Sequence, residues 1–134
     1  MSTPTSAPRY PDLRALGSSG LEVTPVSVGA SPLGSMPQLY GHEVTEEMAI
    51  ATVLRAFAGP FNVLDTSNNY GGGASERRIG AAIARAGGLP DGFVLATKAD
   101  RDPRTDDFSG DRVRASVEES LDRLGVDRFD LLYL

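Results

Sequence analysis

Three side chains with the chemistry for proton transfer lie at the ends of short apolar segments. Asp65 follows a short segment with the apolar residues Phe61, Val63 and Leu64, and Tyr70 comes shortly after it. Lys98 follows the predicted buried strand 93–97. In parallel α/β folds, functional side chains collect at the carboxyl ends of strands, and neighbouring strands lie about 4.8 Å apart. We therefore expect Asp65, Tyr70 and Lys98 to meet at the end of a sheet where the carboxyl ends of its strands lie side by side, which we call the mouth of the sheet.

Such a group of side chains suits acid–base chemistry on an alcohol or carbonyl oxygen. An ammonium group beside a phenol stabilises the phenolate and lowers the pKa of the phenol, and a carboxylate keeps the ammonium group charged. The tyrosine can then exchange a proton near neutral pH, which free tyrosine, with a pKa of about 10, does poorly. Singly, Asp65 can cap a turn, Tyr70 can pack at a rim and Lys98 can be a solvated lysine. Their common placement at strand ends favours the catalytic interpretation.

The remaining residues that could bind a ligand or take part in a reaction are better explained by structural roles. The consecutive glycines 71–73 lack the spacing of the GxGxxG and GxxxxGK[ST] phosphate-binding motifs, so a flexible turn is the favoured interpretation. Glu76 and the two arginines after it open a helix and are expected to form its solvated first turn. The only histidine, His42, lies in a loop rich in Gly and Pro, and we expect it to face solvent without a role.

The composition is that of an ordinary globular protein and argues against several function classes. The chain has 134 residues, of which 40% are hydrophobic and 23% are charged. A formal net charge of −5 argues against nucleic acid or an anionic membrane as a partner. Without cysteine and with one histidine, neither a metal site nor a thiol nucleophile is expected. No apolar run is long enough to cross a bilayer and no signal-peptide pattern is seen, so a cytoplasmic protein is expected.

Strands and helices alternate along most of the chain. Residues 1–13 are rich in Ser, Thr and Pro and are expected to form a disordered tail, followed by a β-hairpin over residues 14–24. Further strands are predicted to begin near residues 26, 61, 93 and 129, at intervals of 32 to 36 residues. A helix is predicted between each pair of strands, because apolar residues there recur every three or four positions. This alternation is typical of a parallel sheet with right-handed crossovers.

The predicted helices carry recognisable end signals. Thr45 is a candidate N-cap for the first helix, the second is predicted over residues 75–86, and Gly125 is a candidate C-cap for the third. Residues 31–44, with two prolines and two glycines, are predicted to form a loop. The third helix is expected to bury four apolar residues, Val113, Val117, Leu121 and Leu124.

Two α/β architectures fit this order of elements, an open doubly wound sheet and the amino-terminal half of a (β/α)8 barrel. A complete barrel needs about 250 residues, so on the second interpretation residues 14–134 form a partial barrel domain, truncated after its fourth strand. The leading hairpin and the final strand without a following helix favour this half-barrel. Its first and fourth strands are then unpaired edges, so self-association through the exposed sheet edges is expected.

Four stretches of the sequence together resemble the aldo-keto reductases. They read LGSSGLEVTPVSVGASPLG, DTSNNYGGGASERRIG, VLATK and RASVEESLDRLGVDRFDLLYL, and they span nearly all of the chain after the tail. The combination of DTSNNYG, SERRIG and the SLxRLGVDxxDLLYL ending is specific. In detail the stretches most resemble the bacterial D-threo-aldose 1-dehydrogenase branch, to which L-fucose and pyridoxal dehydrogenases are similar.

The resemblance implies a (β/α)8 barrel closed below by the hairpin, and hydride transfer between NAD or NADP and a small carbonyl compound or sugar. It assigns Tyr70 as general acid/base, Lys98 as the residue that lowers the tyrosine pKa, and Asp65 as the partner of the lysine. The cofactor-binding residues that it implies in this half are Gly29, Ala30, Ser31 and Asp65. The catalytic histidine of the family is expected just beyond Leu134, so the chain alone is expected to be inactive.

Two other functions remain open at this level. Lys98 at a barrel mouth also suits a lyase that forms a Schiff base with a carbonyl substrate. Alternatively, the chain is an inactive half-barrel remnant that acts only by association with a partner chain. The residues that select NAD or NADP, and most of those that select the substrate, are expected outside this half of the barrel.

Overall fold

A computed structural model describes residues 10–134. The strands are β1 Arg14–Ala15, β2 Glu22–Val23, β3 Val28–Gly29, β4 Val63–Asp65, β5 Val94–Lys98 and β6 Leu131–Tyr133. The helices are a 3-10 helix Ser31–Gly34 and four α-helices, α1 Pro37–Tyr40, α2 Glu46–Phe57, α3 Ala74–Ala86 and α4 Gly110–Leu124. Most of the predicted disordered tail lies outside the described residues, although Tyr10 is half-buried against the core. The division into tail and barrel domain stays a prediction.

The main sheet is parallel and has its strands in chain order. It runs β3-β4-β5-β6, with β3 and β6 at its edges. The register pairs Gly29 with Asp65, Asp65 with Ala96, and Lys98 with Tyr133, so the carboxyl ends of the strands lie side by side. The predicted parallel sheet is therefore confirmed.

The hydrophobic core lies between this sheet and helices α2, α3 and α4. All three helices and the two central strands contribute to it, through Ile50, Val53, Phe57, Leu64, Ile79, Ile83, Leu95 and Leu124. The long helices therefore cover one face of the sheet, as in a barrel, whereas a doubly wound sheet has helices on both faces. The half-barrel expectation is confirmed, and the open doubly wound alternative is wrong.

The helix ends follow the sequence signals. Thr45 Oγ1 accepts a hydrogen bond of 3.2 Å from the backbone N–H of Met48, so the predicted N-cap is confirmed. Gly125 ends α4 in the left-handed conformation with φ of 65°. The predicted loop 31–44 contains the 3-10 helix, whose second residue is Pro32, and α1, which begins at Pro37. Proline fits the first turn of a helix because its missing N–H has no partner there.

Of the four residues of helix α4 predicted to be buried, Leu124 is fully buried as predicted, but the other three are not. The fully buried side of the helix is formed by Ser116, Ser120 and Leu124, whereas Val113 and Val117 are only half-buried. The small serines let the helix approach the strand ends, and the Ser116 hydroxyl accepts a hydrogen bond from the backbone N–H of Asp100 at 3.0 Å. Apolar periodicity missed this face because hydrogen-bonded serines occupy it.

One buried asparagine attaches the hairpin β1–β2 to the main sheet by hydrogen bonds. Asn62, only 1% exposed, accepts from the Thr24 N–H at 2.8 Å and donates to the carbonyls of Glu22 and Gly92, each at 2.9 Å. A cavity of about 270 Å³ lies between the hairpin and the inner face of the strands, lined in part by Val63 and Val94. Of the helices within residues 10–134, none has both the length and the apolar character needed to cross a membrane.

Candidate active site

Asp65 and Lys98 meet at the carboxyl ends of β4 and β5. Strand alternation directs Leu64, Leu95 and Thr97 toward the helices, so Asp65 and Lys98 face the opposite, inner side of the sheet. The Lys98 ammonium group donates to Asp65 Oδ2 at 2.8 Å and to the backbone carbonyl of Thr66 at 2.7 Å. The two side chains are about 30% exposed, so the ion pair lies in a partly desolvated mouth.

Tyr70 completes the group that the sequence predicted. It lies in the loop between β4 and α3, and the Lys98 Nζ atom lies 4.9 Å from the centroid of its ring. A second tyrosine, Tyr133 on the neighbouring strand β6, has its ring centroid 5.8 Å from the same nitrogen. No role was predicted for Tyr133, although it lies at the end of a predicted strand, which is the same signal that identified Lys98.

The pKa of Lys98 is raised above its ordinary value of 10.5. Burial disfavours the charged form and acts in the opposite direction, but hydrogen bonding and charge interactions with Asp65 and Tyr70 together outweigh it. Lys98 is therefore a fully charged ammonium group at neutral pH, held by a carboxylate on one side and flanked by phenol rings.

The four residues predicted to bind the cofactor differ in the free hydrogen-bonding groups and the open space that they provide. Asp65 Oδ1 is buried and has no hydrogen-bond partner within residues 10–134. Gly29 is exposed, and no atom lies within 4 Å of the position that a Cβ would take. The Ser31 hydroxyl accepts from the Tyr40 hydroxyl at 2.7 Å. Ala30 is fully buried; its N–H donates to the Asp65 carbonyl and its own carbonyl accepts from Ser75.

The loop that carries Tyr70 is fixed by side chains that the sequence analysis did not single out. Asn68, only 1% exposed, donates to Glu119 Oε2, Ser120 Oγ and the Ser116 carbonyl, all on α4. The Asp100 carboxylate accepts from the Ser67 hydroxyl and from the backbone N–H of Asn69. Consecutive Ser and Asn residues directly after a strand were the available signal for this loop.

The prediction of a solvated first turn is wrong for Glu76, which is buried, and for Arg78, which is half-buried and donates to the Leu33 and Val44 carbonyls; only Arg77 is exposed. The Glu76 side chain is 0% exposed, accepts from the Thr97 hydroxyl at 2.7 Å and pairs with Arg123 at 3.3 Å. Glu76 lies three and seven residues before Ile79 and Ile83, on the apolar face of α3. The same helical periodicity therefore contained the signal that this carboxylate faces the core.

The three glycines form a closely packed turn. All have positive φ, from 60° to 89°, and a Cβ on Gly71 would collide with the backbone of Gly34. The favoured interpretation, a turn, is correct, but contacts on both sides fix its conformation. His42 is exposed, as predicted, and one of its ring nitrogens lies 3.0 Å from the Tyr40 carbonyl.

Comparison with known proteins identifies the family. Residues 25–134 match the sequence model of the aldo/keto reductase family. The chain is 44% identical over 122 residues to an L-galactose dehydrogenase from Arabidopsis thaliana, covering 91% of this chain and 37% of that protein. It is 31% identical over 144 residues to a D-threo-aldose 1-dehydrogenase from a Pseudomonas species, covering 90% of this chain and 42% of that protein.

A solved structure shows the same fold. An aldo-keto reductase from Bacillus halodurans, in its holo form, matches with a TM-score of 0.72 and 28% identity, over 90% of this chain and 38% of that one. The four-stranded parallel sheet thus corresponds to part of a (β/α)8 barrel, and the chain spans about two fifths of the length of these relatives. On the family match over residues 25–134, the chain belongs to the aldo/keto reductase family.

Proposed function

We propose that residues 10–134 form the proton-transfer part of an NAD(P)-dependent oxidoreductase that interconverts a carbonyl group and an alcohol on an aldose or aldehyde. The observation that carries the proposal is the Lys98–Asp65 ion pair of 2.8 Å, with the Tyr70 ring 4.9 Å from the ammonium nitrogen. The names of the relatives, L-galactose dehydrogenase and D-threo-aldose 1-dehydrogenase, favour an aldose as the substrate.

Each of the three residues has a distinct part in proton transfer. In reduction, the Tyr70 hydroxyl donates its proton to the carbonyl oxygen of the substrate; in oxidation, the tyrosinate takes the proton from the alcohol. The Lys98 ammonium group stabilises the negative charge that the phenol oxygen carries after donation. Asp65 keeps Lys98 charged and fixes its position through the 2.8 Å contact.

The residues present fit a nicotinamide cofactor, which when bound supplies or accepts the hydride. The unpartnered buried oxygen Asp65 Oδ1 is an acceptor that suits a hydroxyl donor such as that of a ribose. The open space above Gly29 allows close approach to the backbone, and the Ser31 hydroxyl lies two residues further along the chain. Ala30 offers no free polar group, so its contribution is limited to shape.

The Schiff-base lyase is disfavoured by the state of Lys98. An amine nucleophile must lose its proton, and lysines that form Schiff bases have lowered pKa values. Here the pKa of Lys98 is raised, because Asp65 and Tyr70 outweigh the opposing effect of burial. Treatment with borohydride and a small aldose should therefore leave the mass of the Lys98 peptide unchanged, whereas a stable adduct on Lys98 would support the lyase.

The proposed reaction is tested by completing the barrel. The 134-residue chain is assayed alone and after fusion to the carboxyl-terminal part of the Arabidopsis L-galactose dehydrogenase, with aldoses and either NAD or NADP, by nicotinamide absorbance. We expect turnover from the fusion and none from the chain alone. A fusion that folds and binds the cofactor but turns over no aldose or aldehyde would contradict the proposal. A fusion that folds without binding it would favour the inactive remnant.

A further inference from the structure

The carboxylate of Glu76 is a buried charge on the opposite face of the sheet from Asp65 and Lys98. Glu76 lies on α3, on the helix side of β5, and its side chain is 0% exposed. Its two oxygens are engaged separately, one by the Thr97 hydroxyl and one by Arg123. The Arg123 side chain is 21% exposed, whereas the Glu76 carboxylate is fully buried, and the lost hydration of such a buried charge offsets much of what the ion pair contributes to stability. The pair therefore calls for an explanation beyond stability.

Through its bond to Thr97, Glu76 holds the strand that carries Lys98. Thr97 is the residue directly before Lys98 on β5, and it is 0% exposed. Its side chain points to α3, while that of Lys98 points to the mouth, because side chains alternate along a strand. The 2.7 Å bond from Thr97 to Glu76 therefore fixes the strand at the point where Lys98 leaves it.

Arg123, the other partner of Glu76, holds the loop that carries Tyr70 and contacts this loop both before and after the tyrosine. Arg123 Nη1 donates to the backbone carbonyl of Asn68 at 2.8 Å. The same guanidinium group lies against Gly73, where an added Cβ would be 2.5 Å from Arg123 Cζ. Asn68 precedes Tyr70 and Gly73 follows it, so the guanidinium group contacts the loop before and after the tyrosine.

We propose that the Glu76–Arg123 pair, with its fully buried carboxylate, is a positioning device that holds Lys98 and Tyr70 at their mutual distance. Neither Glu76 nor Arg123 lies on the inner face of the sheet, so each acts through the residues that it holds. The importance of the Lys98–Tyr70 distance rests on the proposed function. The coupling itself can be measured on a chain that shows no turnover.

A charge-neutral substitution tests the device. Lys98 is the only lysine in the chain, so its reaction with acetic anhydride at pH 8 is followed by mass spectrometry of a single peptide. Thr97→Val removes the hydroxyl that bonds Glu76, loosens Lys98 from its neighbours and lowers its pKa. We expect acylation about threefold faster, which corresponds to about half a pKa unit. Thr97→Ser keeps the hydroxyl and should react at the wild-type rate.

Thr24→Val is the matched control. Thr24 is also buried, at 5% exposure, and its hydroxyl bonds the Val26 carbonyl and the Asn62 N–H at the opposite end of the barrel. We expect this variant to lose thermal stability while Lys98 reacts at the wild-type rate. Equal acceleration in Thr24→Val and Thr97→Val would mean general loosening and would overturn the proposal.

A milder second variant covers the case in which Thr97→Val does not fold. Arg123→Lys keeps the charge, but an ammonium group cannot retain the planar contact with Gly73 together with bonds to Glu76 and Asn68. Because this variant has a second lysine, at position 123, the rate is taken from the peptide that contains Lys98 alone. We expect faster acylation of that peptide as well, and a wild-type rate would overturn the proposal. The acylation rate of Lys98 does not depend on turnover. Failure of the positioning role therefore appears in the acylation rate, whereas failure of the proposed reaction appears only in the nicotinamide assay.

Discussion

Lys98 and Asp65 form an ion pair whose second carboxylate oxygen, Asp65 Oδ1, is buried without a partner within the described part of the chain. The ammonium group thus satisfies one oxygen, whereas the other is buried and accepts no hydrogen bond from a described residue. This relationship links the two proposed functions of the site, because we propose that the same carboxylate fixes the lysine for proton transfer and accepts a hydrogen bond from a bound molecule.

The strength of this ion pair is open to measurement. In a double-mutant cycle with Asp65→Asn and Lys98→Met, we expect a coupling free energy of about 1 kcal/mol, because the pair is partly exposed and its attraction is screened. The free energies of unfolding come from urea titrations. The exposed Glu47–Arg85 pair, tested with Glu47→Gln and Arg85→Met, should show no measurable coupling. Equal coupling in both pairs would contradict the assignment of a desolvated site.

The attachment of the hairpin should depend strongly on Asn62. Asn62→Ala leaves the Thr24 N–H and the Glu22 and Gly92 carbonyls without their partner, so we expect a loss of about 3 kcal/mol in the free energy of unfolding. The measurement is the urea midpoint. Asn69→Ala is the control, because Asn69 makes a single exposed side-chain bond to the Arg101 carbonyl. Similar losses in both variants would show that the hairpin is not held by Asn62.

Acid stability should depend on Glu119. A hydrogen bond from Arg112 is the main cause that holds the pKa of Glu119 below its ordinary value of 4.5, against the opposing effect of burial. A lowered folded-state pKa gives stability that is present above pH 4.5 and is lost as the pH falls through the folded-state value. Glu119→Gln should therefore show a weaker fall in melting temperature between about pH 5 and 3 than the wild type.

The control for that experiment is the neighbouring Glu118, which is exposed and has no salt bridge with a described residue. Glu118→Gln should keep the wild-type dependence of melting temperature on pH. If Glu119→Gln also keeps it, the Arg112–Glu119 contact does not contribute to acid stability.

We further propose that the 134-residue chain self-associates when isolated. In the described residues β3 pairs only with β4, and β6 only with β5, so both strands offer free backbone groups. Leu132, Tyr133 and Leu134 add exposed apolar surface beside the β6 edge. Sedimentation velocity at several concentrations should show species larger than a monomer. A Leu132→Lys variant should reduce association; a monomer at every concentration would contradict this proposal.

The sequence was informative where local rules determine the structure. Thr45 and Gly125 marked helix ends through backbone groups that need partners, and the regular spacing of apolar segments predicted the parallel sheet. Asp65 and Lys98 were placed at one mouth because the carboxyl ends of parallel strands meet at one edge.

Long-range polar contacts could not be predicted in the same way. Glu76, Asn68 and Arg123 are held by partners 21 to 55 residues away in the chain, and a pattern of residue types does not specify such pairings. The packed side of α4 was missed because serines occupy it, and apolar periodicity does not detect buried serine.

The most direct test of the central claim is Tyr70→Phe in the barrel completed with the carboxyl-terminal part of the L-galactose dehydrogenase relative. The substitution removes the proton donor and keeps the ring beside Lys98. The turnover number for aldose oxidation, followed by nicotinamide absorbance, should fall by a factor of about 100 to 10,000, while cofactor affinity stays at the wild-type value. An unchanged turnover number would contradict the assignment of Tyr70 as the general acid/base.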